Sequence, residues 1–358
     1  MRFVLKTRYN QDIDLFQHNG QRFWYVLLAV ALLLVPLGFD SFYVGEMSLV
    51  FIYAIAGVGL MLLVGYTGQV SLGHAAFLAI GAYAHAWFLT QGLPWPVSLA
   101  LASLLTAIVG AVVAIPALRM TGIYLAVATL AFSRIVEHVI THWGSVTGGY
   151  RGMAVPRAEV FSVSLMSAST FYYVCLAFLA ASLVAALNLL RSPSGRAMIA
   201  VRDSEVSAQA MGIDLARTKT LAFFLSAGFT GLAGGLFAHK IGYLAPDAFT
   251  IVTSIQLLLM VVVGGLGSMH GVVFGAIFIG LLPQAVAFLR DASPPAIAEI
   301  PGLEPAIFGL ILILFLVYEP LGIYGRWVKI RLYFQEFPLY RKATYKRQKS
   351  YLRTERVR

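Results

Sequence analysis

Apolar residues run along this chain in long unbroken stretches, not in the period-2 or period-3.6 alternation of half-buried strands or surface helices. A helix rises about 1.5 Å per residue, so about 20 apolar residues cover a hydrocarbon layer roughly 30 Å thick. Ten stretches approach that length: residues 23–43, 47–66, 70–90, 96–118, 119–142, 170–190, 218–239, 249–263, 270–289 and 303–318. The pattern predicts an all-α, polytopic integral membrane protein of about ten transmembrane helices. Gly264, Gly265 and Gly267 interrupt the short eighth stretch, which reads either as a continuous span or as a half-helix. The first stretch lies behind 22 largely polar residues with no small-residue cleavage pattern, so it reads as a retained anchor and not as a signal peptide.

The polar intervals carry the charge, and they carry it unevenly. When the spans are threaded alternately, 21 of the 26 Lys and Arg fall on one side, in residues 1–22, Arg119, 191–219 and 326–358. Only Arg134, Arg151, Arg157, Lys240 and Arg290 fall on the other. The positive-inside rule then predicts cytoplasmic N- and C-termini. It divides the chain into a cytoplasmic segment 1–22, a transmembrane domain 23–319 with a cytoplasmic loop at 191–219, and a basic cytoplasmic tail 320–358. Composition agrees: 59% of residues are hydrophobic and 12% charged, against about 25% charged in soluble domains. Both a soluble two-domain protein and a disordered chain are excluded.

The net charge of +10 does not point to nucleic acid, because the basic residues mark topology. The tail interleaves eleven of them with Tyr333, Phe334, Phe337, Tyr340, Tyr345 and Tyr351, which suits contact with anionic membrane lipid. No nucleic-acid module is recognisable. Cys175 is the sole cysteine and has no intrachain partner, and the seven histidines form no ligand-spaced set with it. No metal site is expected.

Three glycine-rich segments interrupt the apolar background: 65–77, 147–152 and 264–275. Glycine in a span serves close helix approach or a break that lines a pathway. Gly267, Gly271 and Gly275 repeat every four residues, as do Gly231 and Gly235, and both ladders read as packing surfaces. In the first segment Gln69, Ser71 and His74 add hydrogen-bonding groups that lipid would penalise. It is a gate or pathway element, or else a polar turn at the membrane surface. The pathway residues nominated are Gly68, Gln69, Ser71, Gly73, His74, Thr147, Gly148 and Gly149. Arg134, Glu137 and His138 share one helix face in the fifth stretch; they are functional candidates or an internally paired cluster.

The loop 191–219 begins with Ser192-Pro193-Ser194-Gly195, a turn signal. Residues 205–211 suit a short helix, with Asp203 or Ser204 as its cap and Gly212 as its stop. Ala208 and Ala210 would allow close contact with a partner's groove; a solvated topological loop is the other reading. The chain has no G-x-x-x-x-G-K-[ST] phosphate loop and no convincing nucleophile–base set, so no enzyme is expected.

The run Thr67-Gly68-Gln69-Val70-Ser71-Leu72-Gly73-His74-Ala75-Ala76-Phe77, with Gly81-Ala82-Tyr83 after it, resembles the signature of the branched-chain amino acid ABC transporter permeases, and within them the M-type subunit. Further matches follow in order. They are Gly122-Ile123-Tyr124 to Thr129-Leu130-Ala131-Phe132, Trp143 with Thr147-Gly148-Gly149 and Gly152, Ser192 to Ile213, Ser226 to Gly234, and Gly264 to Ser268. They cover roughly residues 52–280. The resemblance implies an importer subunit for branched-chain or related neutral amino acids, with urea or short-chain amides as the alternative cargo. It implies a second permease subunit, two ATPase subunits that bind the ATP, an external substrate-binding protein, and no cofactor of this chain's own. It makes 191–219 the ATPase-coupling loop, through Glu205, Ser207, Ala208, Ala210, Gly212, Ile213 and Asp214. It implies a bacterial or archaeal cytoplasmic membrane. An ion-coupled secondary transporter is the reading of a different class; it needs charged groups in the membrane, and Arg134 with Glu137 is the pair the sequence offers.

Overall fold

The computed structural model describes residues 19–156, 159–160, 163–164, 167–291, 303–318 and 322–336. Most of the expected segment 1–22 and the tail beyond 336 lie outside them. The helices are α1 (Asn19–Gly38), α2 (Ser41–Leu60), α3 (His74–Thr90), α4 (Trp95–Ala117) and α5 (Ile123–His142). After them come α6 (Ala168–Arg191), α7 (Pro193–Asp203), α8 (Glu205–Ala210) and α9 (Leu215–Ile241). The series ends with α10 (Ile251–Gly264), α11 (Met269–Asp291), α12 (Leu303–Tyr318) and α13 (Gly322–Glu336).

Every predicted stretch is found on a helix, but the described residues contain seven helical segments long and apolar enough to cross a membrane, not ten. The other three stretches fall on α1, α3 and α12. Helix α3 has 17 residues and α12 has 16, and the apolar part of α1 runs Arg22–Gly38. The third stretch is shorter than predicted because the chain is not helical between Gly65 and His74. The eighth is one of the seven: a 3-10 turn, Pro246–Phe249, extends α10, and the break at Gly265 (φ +116°) comes at its end.

Helices α2 and α9 form the centre. Helix α9 packs on α4, α3 and α2, and α2 also packs on α6 and α11. From Ile55 to Leu60 every residue of α2 is buried, as expected for a helix apolar on all sides. Large apolar side chains on α1, α4 and α5 are exposed, among them Leu37, Ile115 and Ile123; lipid removes any penalty for that. Association in lipid then depends on close packing, and the glycine ladders supply it. A Cβ on Gly81 would collide with the Gly231 backbone, and one on Gly234 with Leu78 of α3. Gly264, Gly271 and Gly275 likewise bring α10 and α11 into backbone contact.

The connections sort to two ends. Gly65, Arg202 and Gly267 meet at one. At the other, Met153–Ala154 pairs antiparallel with Tyr243–Leu244.

Candidate functional site

The discontinuity between α2 and α3 is the most polar part of the bundle's interior. Helix α2 widens into a π-turn, Met61–Gly65, a form that marks functional sites in many helices. Gly68 then takes φ +73°, where a side chain would be strained. Two neighbouring helices satisfy freed backbone groups, as a break in a span demands, and a third holds a side chain of the segment. Thr129 Oγ1 of α5 accepts from Leu72 N at 3.0 Å. Ser254 Oγ of α10 accepts from Ala75 N at 2.9 Å, in the first turn of α3. The buried His74 ring bridges Ser71 Oγ, 3.0 Å from Nδ1, and Ser226 Oγ of α9, 2.8 Å from Nε2. Gln69 is 4% exposed, yet its Oε1 finds no hydrogen-bond partner among the described residues.

Thr147, Gly148 and Gly149 are not part of this site. They lie at the opposite end, in a self-contained turn. Thr147 Oγ1 is 2.6 Å from Ile140 O and 2.7 Å from Trp143 O, and it accepts from Gly149 N. Gly148 and Gly149 both adopt positive φ. Nearby, Tyr243 donates to the Arg151 carbonyl.

The loop between α6 and α9 holds two helices, not one. Ser192-Pro193-Ser194-Gly195 is a helix start and not a turn. Ser192 Oγ accepts from Gly195 N, and Pro193 occupies the first helical position, where its missing N–H costs nothing. Ser204, not Asp203, caps α8 by accepting from Ser207 N. Gly212 (φ +81°) ends the segment as expected. Of the nominated coupling residues, Ala208 is buried at 3% exposure. Glu205 is paired with Lys219 at 2.7 Å, and Asp214 caps α9 through Arg217 N. Ser207, Ala210 and Gly212 are exposed, and Ile213 is half-buried. The most prominent groups are two that the sequence reading passed over: Val206 at 80% exposure and Met211 at 83%.

Arg134 and Glu137 pair with each other at 2.9 Å on a partly exposed face. The His138 and His142 rings lie 4.1 Å apart, tilted by 34°. A second charged set was missed. Lys240 Nζ of α9 is 4.0 Å from Glu46 of α2, and Gln284 of α11 donates to the same Glu46. These three come from distant parts of the chain, with two near predicted span ends, so no local pattern joins them. The same holds for His85 and His239, 2.9 Å apart beside Trp95 and Ser98.

A multi-span helical bundle with a break satisfied by neighbouring helices and a capped two-helix loop outside it has the build of a membrane permease. Comparison with known proteins makes this specific. The family described as branched-chain amino acid transport system, permease component, matches residues 42–316, and the chain belongs to it. The high-affinity branched-chain amino acid transport system permease protein LivM of Escherichia coli K12 is 32% identical over 328 aligned residues, covering 85% of this chain and 75% of that protein. The probable LivM of Methanocaldococcus jannaschii is 26% identical over 227, covering 62% and 66%. The autoinducer 2 import system permease protein LsrC of Salmonella typhimurium LT2 is 26% identical over 293, covering 77% and 81%. No solved structure matches the chain.

Proposed function

We propose that the chain is one permease subunit of an ATP-driven importer of branched-chain or related neutral amino acids in a bacterial or archaeal cytoplasmic membrane. A second permease subunit completes the pathway, an external binding protein delivers cargo, and two ATPase subunits dock from the cytoplasm. ATP is bound by those subunits, and this chain needs no cofactor; the absence of a phosphate-binding loop from its sequence supports that division. In this reading residues 1–22, the loop 191–219 and the segment 320–358 are cytoplasmic, and 23–319 is the transmembrane domain. The distribution of basic residues supports the orientation.

One observation carries the mechanism. Helix α8 and the residue after it present Val206 and Met211, large apolar side chains, on a polar loop at the same end as the break after α2. Burying two such side chains in a partner's groove would remove apolar surface from water, and the open space around Gly212 among the described residues leaves room for one. We assign Val206 and Met211 as the groups that enter an ATPase groove, with Ser207, Ala210 and Gly212 beside them. Gln69 and its neighbours form the gate near the cytoplasmic end, and Thr147–Gly149 supports the outer mouth.

The test is uptake of radiolabelled leucine, urea and autoinducer 2 into vesicles holding this chain with its candidate permease, ATPase and binding-protein partners. ATP-dependent leucine uptake is expected. Uptake that persists without the ATPases and collapses with a proton uncoupler would replace this reading with an ion-coupled one.

A further inference from the structure

We infer that Arg202 is a positioning residue that ties the ATPase-facing loop to the broken end of α2, and so carries movement between them. The inference rests on the importer reading above, and its basis is an accounting of backbone groups. The end of a helix leaves its last carbonyls without intrahelical partners. Here Met61 O accepts from Tyr66 N, Leu63 O from Gln69 N, and Val64 O from Gly68 N. Leu62 O accepts from Thr67 Oγ1. The Gly65 carbonyl accepts from Arg202 Nη1 at 3.0 Å, a donor 137 residues away in the last turn of α7. A cation there also suits the negative end of the helix dipole.

The guanidinium is seated and oriented. A Cβ on Gly68 would come within 3.2 Å of Arg202 Cγ, and one on Gly267 within 3.3 Å of Nη1. Both glycines have positive φ, so both discontinuities, after α2 and after α10, leave room for one side chain. The other edge of the fork is held by Asp203 Oδ1, 3.0 Å from Nε and 2.9 Å from Nη2. Asp203 adjoins Ser204, the cap of α8, and α8 is fastened to α9 by Glu205 and Lys219, the latter 3% exposed. Arg202 is thus four residues from Val206 and one hydrogen bond from Gly65. A displacement of α8 pulls on the residues that end α2 and begin the gate.

The experiment compares wild type, Arg202→Ala and Arg202→Lys in the reconstituted complex, reading ATPase binding, ATP hydrolysis and leucine uptake. With Ala, ATPase binding and basal hydrolysis should persist while uptake per ATP falls at least tenfold. Lysine keeps a donor for Gly65 without the fork and should recover part of the loss. In the purified chain, amides 66–69 should exchange faster in the Ala variant while amides 140–152 do not. Unchanged uptake per ATP in Arg202→Ala overturns the inference. So does equal loss of ATPase binding or membrane insertion in both variants, which would make Arg202 a docking or folding residue. Failure of the importer reading is seen separately: wild-type uptake would then not depend on ATP, whatever the exchange rates at 66–69.

Discussion

The two glycine-rich segments at opposite ends of the bundle, 65–74 and 147–149, look alike as strings of letters and differ in how their polar groups are satisfied. In the first, hydrogen bonds run to α5, α9, α10 and the loop helix α7. In the second, Thr147 bonds only within residues 140–149. A segment satisfied across helices must shift when those helices shift. One satisfied locally moves as a rigid piece. The difference predicts that the first segment couples to the rest of the molecule and the second does not.

Substitutions can break or sharpen that contrast. The largest effect is expected at Gly73, where a Cβ would come within 2.6 Å of the Thr129 carbonyl oxygen. Gly73→Val should leave almost no folded protein in the membrane fraction, while Gly144→Val, with open space around it, should assemble normally. His74→Leu comes next. It strands the Ser226 hydroxyl, at about 1–3 kcal/mol for a buried unsatisfied group, while Ser71 Oγ keeps the Gly73 amide; it should lower both thermal stability in detergent and leucine uptake. Gln69→Leu removes an amide whose Oε1 is already unpaired among the described residues. Stability should hold, while uptake changes by about 1 kcal/mol in barrier, a factor near five. Unchanged uptake there would remove Gln69 from the gate. Thr147→Val should be mildest, costing about 0.6 kcal/mol, typical of a hydrogen bond within membranes, with uptake kept. A large uptake defect in Thr147→Val would abolish the distinction between the two ends.

Much of the fold was legible because lipid imposes a length and a composition on anything that crosses it. The predicted stretches 96–118 and 170–190 match α4, Trp95–Ala117, and α6, Ala168–Arg191, to within two residues. Local capping chemistry was legible too, in Ser204 and Gly212. The start of the helix at Pro193–Asp203 reads as a turn over Ser192–Gly195 because Ser-Pro marks both turns and helix starts, and only the residues that follow decide between them. The third span was drawn too long because Val70 and Leu72 are apolar letters in a segment whose backbone is held open by glycines and by hydroxyls from elsewhere.

What the sequence determined by itself was the set of apolar helices and their caps, since these depend on residues within a few positions of one another and on the solvent. The tertiary structure alone decided which polar groups meet. Gly65 with Arg202, His74 with Ser226, and Glu46 with Lys240 and Gln284 are pairings between residues more than a hundred positions apart. A buried backbone or side-chain polar group must find a partner wherever packing brings one within about 3 Å, and sequence spacing carries no record of that distance.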